Sequence, residues 1–110
     1  SGLNTILNDK FVRTEKMIKH IVCFKLKNGE SIDEAAKVLI SMKSNVPEII
    51  DIEVGKDFLK SERSFDIALI VTLKDKKALD DYQSDAYHVS VVKKHMHAVV
   101  EKSIAIDYEI

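Results

Sequence analysis

Apolar and polar residues alternate strictly at the start of the ordered pattern. From residue 18 to 26, Ile18, His20, Val22, Phe24 and Leu26 share one face, while Lys19, Ile21, Cys23 and Lys25 share the other. That period of two is a strand, and Asn28-Gly29 marks the turn after it. Ser31-Ile32-Asp33-Glu34 has the form of a capping box, in which Ser31 and Glu34 would satisfy each other's free backbone amides. Behind it Ile32, Ala35, Ala36, Leu39, Met42 and Val46 recur at helical spacing until Pro47 stops the run. Ile50, Ile52 and Val54 alternate with Asp51 and Glu53 in a second strand that Gly55 closes. The third strand carries Phe65, Ile67, Leu69, Val71 and Leu73 on one face and Ala68 and Ile70 on the other, so it is expected to be covered on both sides. Lys56 to Ser64 is the charged loop between them.

Asp75 suits the N-cap of a short helix through Ala78, Leu79 and Tyr82. A further helix starts near Tyr87, with Val89, Val92, Met96 and Val99 along one stripe. In the last strand Ile104, Ile106 and Tyr108 share a face, and Ser103, Ala105 and Asp107 share the opposite one. The order β-α-β-β-α-β predicts a ferredoxin-like α+β fold, an antiparallel sheet with helices on one face. The uncovered face is read as carrying Ile21, Cys23, Ala68, Ile70 and Ala105, too much apolar surface to leave in water. Two copies joined sheet to sheet into an α+β barrel would remove it, so a homodimer is expected.

Composition narrows the function classes. At 110 residues the chain is expected to hold one small domain. Seventeen basic against eighteen acidic residues, with no arginine cluster, argue against a nucleic-acid partner. Cys23 is the single cysteine, which excludes an internal disulfide and a cysteine-built zinc site. No apolar run is long enough to span a membrane, and a reducing, cytoplasmic location is expected. Residues 1–16 stand apart: Ser1-Gly2 opens without methionine, Met17 directly precedes the first strand, and Leu3, Ile6, Leu7 and Phe11 have helical spacing. They are read as a vector-derived or native N-terminal arm, with the domain at 17–110. Three glycines without phosphate-loop spacing set nucleotide binding aside, and no serine sits in a nucleophile elbow.

The candidate chemistry lies in Asp81-Tyr82-Gln83-Ser84-Asp85-Ala86-Tyr87-His88, where a Tyr and a His stand six residues apart across a break between two helices. Such a break can turn both side chains toward one cavity. His88 reads either as a general base, since free imidazole titrates at about 6.5, or as a helix-start residue bonded to the backbone. Tyr82 fills core volume in both readings, and only its hydroxyl could polarise a carbonyl. His20, among the aliphatic residues of the first strand, is either a bonded core histidine or a pocket wall that orients a ligand. Val22 and Phe24 on the same face would line that pocket. His95 and His97 diverge on their helix and form no metal pair, and neither a metal nor a cofactor is expected.

Several of these segments together resemble the stress-responsive A/B barrel domain family, over Met17 to about Tyr108. The resemblance rests on Lys19-His20-Ile21-Val22, Ile52-Glu53-Val54-Gly55, Ser61-Glu62-Arg63-Ser64-Phe65-Asp66-Ile67-Ala68-Leu69, on Tyr82 and His88, and on Asp107-Tyr108-Glu109. Where many members read His-Pro ahead of the second His, this chain has Asp85-Ala86-Tyr87-His88. The resemblance implies a small dimeric α+β barrel, with plant members linked to stress responses. It also implies, from a plant polyketide cyclase of the family that works by aldol condensation, a Tyr and a His that match Tyr82 and His88, with His20 as a further pocket residue. Two functions follow as expectations. One is a homodimer of undetermined biochemical function that binds a small apolar molecule, with an apolar carbonyl compound as a candidate partner, in a pocket between sheet and helices. The other is a cofactor-free cyclase-like lyase or isomerase, with His88 as base and Tyr82 as oxyanion donor. Whether any reaction is catalysed is left open by the sequence.

Overall fold

A computed structural model describes residues 16–110. The helical spacing of the N-terminal arm falls outside that range. Nine residues of alternating character form β1 (Ile18–Leu26). It is followed by α1 (Ile32–Ile40), a 3₁₀ turn (Ser41–Ser44), β2 (Ile49–Lys56) and β3 (Ile67–Leu73). The second half contains α2 (Lys76–Ser84), a π-helical segment (His88–Lys93), α3 (Lys94–Val99) and β4 (Val100–Glu109). All pairings are antiparallel, in the order β2-β3-β1-β4. This is the ferredoxin-like arrangement expected from the order of elements.

The helices pack on one face of the sheet. Leu39, Met42, Leu69, Val71, Leu73, Tyr82 and Val92 are all buried between the two layers. Ser31 caps α1 by accepting a hydrogen bond from the Glu34 amide at 3.0 Å, so half of the expected capping box forms. The reciprocal bond from Glu34 is not found among the described residues. The helix also stops before Pro47. Ser41 donates its hydroxyl to the Val38 carbonyl, and Asn45 Nδ2 donates to the Ser41 carbonyl, which tightens the chain into the 3₁₀ turn.

Three face assignments differ from the sequence reading. A bulge between Ile49 and Asp51 makes Ile49 the partner of Leu73 and leaves Ile50 55% exposed. Phe65 lies before β3, which starts at Ile67. The third difference matters most. Alternation places Ile104 and Ile106 together but cannot say which face they take; pairing register does. Ile106 sits opposite Ile21, and Ile104 opposite Cys23, so both isoleucines join the face without helices. Ala105, opposite Val22, belongs to the helix side. The uncovered face therefore holds Ile21, Cys23, Ala68, Ile70, Ile104 and Ile106, a stronger apolar surface than expected. No helix among the described residues is long and apolar enough to cross a membrane.

Candidate functional site

Between the helix face of the sheet and the second helical pair lies a cavity of about 320 Å³. Val22, Phe24, Leu69, Val92 and Met96 supply apolar wall, and His20, Tyr82, Gln83, His88, Lys93 and Ser103 supply polar groups. A second concavity of about 440 Å³ shares Phe24, Lys93, Met96 and Ser103 with it. The two spaces adjoin at that end.

The helix break is what aims His88. Asp85 has an extended backbone (φ −55°, ψ 135°), so α2 cannot continue through it. Its carboxylate then accepts a hydrogen bond from the His88 amide at 3.0 Å, starting the next helix. One aspartate thus ends one helix and opens another without a proline. The turn that follows is π-helical over His88–Lys93, and such wide turns recur at functional sites. More residues per revolution keep His88 in line with Val92, four positions on, but rotate Val89 outward. His88 and Val92 are buried while Val89 is 46% exposed, contrary to the stripe read from the sequence.

Tyr82 stands between the two imidazoles. Its ring centroid is 4.3 Å from that of His88, tilted, and 5.5 Å from that of His20, edge to face. The side chain is fully buried and its hydroxyl has no hydrogen-bond partner among the described residues. Burial, and secondarily the charge of Asp107, push the phenol far above its ordinary pKa. It therefore stays protonated and can act only as an uncharged donor or acceptor.

His88 Nδ1 lies 2.8 Å from the main-chain carbonyl oxygen of Tyr82. A carbonyl only accepts, so Nδ1 carries the hydrogen and the neutral ring keeps a lone pair on Nε2. Burial lowers the pKa of His88; the Tyr82 carbonyl opposes this, and the charge of Lys93 and the neighbouring His20 add to the lowering. His20 Nδ1 is hydrogen-bonded to Asp107 Oδ1 at 2.5 Å, across the β1–β4 pairing.

The fold thus brings His20, Val22, Phe24, Tyr82 and His88 to one cavity. His95 and His97 do not line it. Among the described residues no group of three or more His, Cys, Asp or Glu side chains could hold a metal. Sequence reasoning missed Asp107, Lys93, Gln83 and Ser103. Asp107 had a signal, a charge alternating with the isoleucines of the last strand, but only strand register reveals that it faces His20.

The family model described as stress responsive A/B barrel domain matches residues 18–110. No curated protein matches the chain in sequence. Among solved structures, a dimeric ferredoxin-like protein of unknown function from Thermobifida fusca superposes with a TM-score of 0.76 at 16% identity, over 87% of this chain and 92% of that one. A dimeric protein of unknown function and ferredoxin-like fold from Bacteroides fragilis has 28% identity and a TM-score of 0.69, over 86% and 96%. A hydroxynitrile lyase from Passiflora edulis has 19% identity and a TM-score of 0.75, over 87% and 94%.

Proposed function

The chain belongs to the stress-responsive A/B barrel domain family, and we propose that it works as a homodimer whose sheet–helix cavity binds a small apolar carbonyl compound. Dimeric relatives of the same fold support the assembly. So does the apolar face of Ile21, Ile70, Ile104 and Ile106, which a second copy would cover sheet to sheet. One observation carries the ligand class: Tyr82, which lines a mainly apolar cavity, has a buried, protonated hydroxyl with no partner among the described residues. A carbonyl oxygen is the acceptor such a group lacks, and the aliphatic walls suit an apolar remainder.

Benzaldehyde, acetophenone and medium-chain ketones serve as probes, with binding read by calorimetry. Ala105→Phe fills the cavity from β4 without touching the uncovered sheet face, and it is expected to abolish binding while the dimer persists. Binding that survives Ala105→Phe would place the ligand elsewhere.

A second reading has a specific observation behind it. His88 keeps a lone pair on Nε2, and burial favours its neutral form, the state a general base needs. In a cyclase-like lyase or isomerase, His88 would remove a proton next to the carbonyl and Tyr82 would donate to the oxygen as negative charge develops. The hydroxynitrile lyase of the same fold makes carbon–carbon bond cleavage a reasonable first assay. Incubation with a cyanohydrin such as mandelonitrile, from which His88 would take the hydroxyl proton and return it to the departing cyanide as the aldehyde forms, tests the lyase form of this reading by aldehyde absorbance. Turnover unaffected by His88→Ala and Tyr82→Phe would exclude these residues as its source.

A further inference from the structure

We propose that Asp107 is a positioning residue that holds His20 with its hydrogen on Nδ1, so that the cavity presents two bare imidazole nitrogens around one phenol donor and selects ligands bearing a hydroxyl beside the carbonyl. This rests on the carbonyl-binding reading above and sharpens its ligand class.

The pairing is built by the sheet. His20 on β1 and Asp107 on β4 are direct cross-strand partners, both on the helix side. Their bond joins Nδ1 to a carboxylate oxygen, and a carboxylate offers only acceptors. The hydrogen therefore lies on Nδ1, and in the form of the ring that carries a single hydrogen the lone pair is on Nε2. Asp107 does not line the cavity; it borders a separate concavity with Lys76, Leu79 and Asp80. It bonds a ring that itself lines the cavity.

His88 is held in the same sense by a different partner, the Tyr82 carbonyl. Among the described residues neither Nε2 has a hydrogen-bond partner, and neither is among the fully buried side-chain atoms left unpaired. A simple ketone would engage Tyr82 and leave both nitrogens unpaired in a space it has dried. An α-hydroxy ketone places a donor next to the carbonyl, and so pairs a nitrogen as well.

The test is nitrogen NMR of the intact protein with labelled histidine, at about pH 8, above the ordinary imidazole range. The expected spectrum gives His20 a protonated Nδ1 and a bare Nε2. In Asp107→Asn the amide group can rotate to donate to Nδ1, driving the hydrogen to Nε2, and Asp107→Glu restores the original pattern. His88 keeps its pattern in both. A wild-type His20 with its hydrogen on Nε2 overturns the proposal without any variant, and so does a spectrum unchanged at His20 in Asp107→Ala, which leaves no acceptor at that position.

Calorimetry tests the ligand class with acetophenone against 2-hydroxyacetophenone. The hydroxy ketone should bind about tenfold tighter, the ratio one net hydrogen bond supplies, and the advantage should shrink in Asp107→Asn. Equal affinities overturn the selectivity. Failure of both probes to bind overturns the carbonyl reading itself, while the NMR result still decides the role of Asp107.

Discussion

Replacing Tyr82 by Phe separates a structural hydroxyl from a functional one by the sign of its effect. Removing a hydroxyl that makes a good hydrogen bond costs about 0.5–1.5 kcal/mol net, whereas leaving one buried and unpaired costs about 1–3 kcal/mol. The Tyr82 side chain is fully buried and its hydroxyl has no partner among the described residues. The ring packing against His20 and His88 survives the change, and so does the bond from His88, which goes to the main chain. Tyr82→Phe should therefore stabilise the protein by about 1–2 kcal/mol. With a urea m-value of ~2 kcal/mol/M, the unfolding midpoint would rise by about 0.5–1 M. Midpoints are compared at equal protein concentration, since assembly contributes to stability. Tyr87→Phe is the internal control: its hydroxyl bonds Ser41 Oγ at 2.7 Å, so its loss should lower the midpoint. Carbonyl binding should weaken in Tyr82→Phe as stability rises, the trade expected of a group kept for function. A midpoint that falls as far as in the Tyr87 control would refute the reasoning, because the Tyr82 hydroxyl would then be satisfied and structural.

Three other outcomes follow from the same structure. The pKa of His88 is lowered on folding, so the unfolded chain binds more protons once pH drops below about 6.5; the contribution is present above that value and lost as pH falls toward the folded pKa. Urea midpoints at pH 8 and 5.5 should therefore differ less in His88→Gln than in wild type, and equal differences would discount the burial of this imidazole. Ile106→Lys puts a charge on the uncovered face of each copy, which costs several kcal/mol if that face is an interface; sedimentation should find monomers, and an intact dimer would move the interface elsewhere. Ser31→Ala removes the hydroxyl that caps α1 and should cost about 1 kcal/mol in urea denaturation, with less than ~0.5 kcal/mol meaning that solvent replaces the cap.

Some parts of the fold and site were open to reading along the chain, and others were not. β1 was legible because alternation over nine residues has no helical counterpart, and the caps at Ser31 and Asp75 were legible because short polar side chains before apolar runs satisfy free amides. Tyr82 and His88 could be singled out as polar residues on either side of a helix break. The outward turn of Val89 was not readable, since a π-turn depends on how the segment packs and not on its own spacing. Nor was the face of Ala105, which follows from the β1–β4 register.

Local chemistry, then, determined the elements, their order and hence the fold class, because periodicity, capping and turn preference act over a few neighbouring residues. It also determined which side chains of β4 travel together. Tertiary structure alone decided which way they face, and with that the apolar surface of Ile104 and Ile106 and the meeting of His20 with Asp107, 87 positions away. Hydrogen-bond register between distant strands is set by the whole sheet's packing, and a shift of one residue would exchange its two faces. That the Tyr82 hydroxyl finds no partner among the described residues is likewise a property of everything around it.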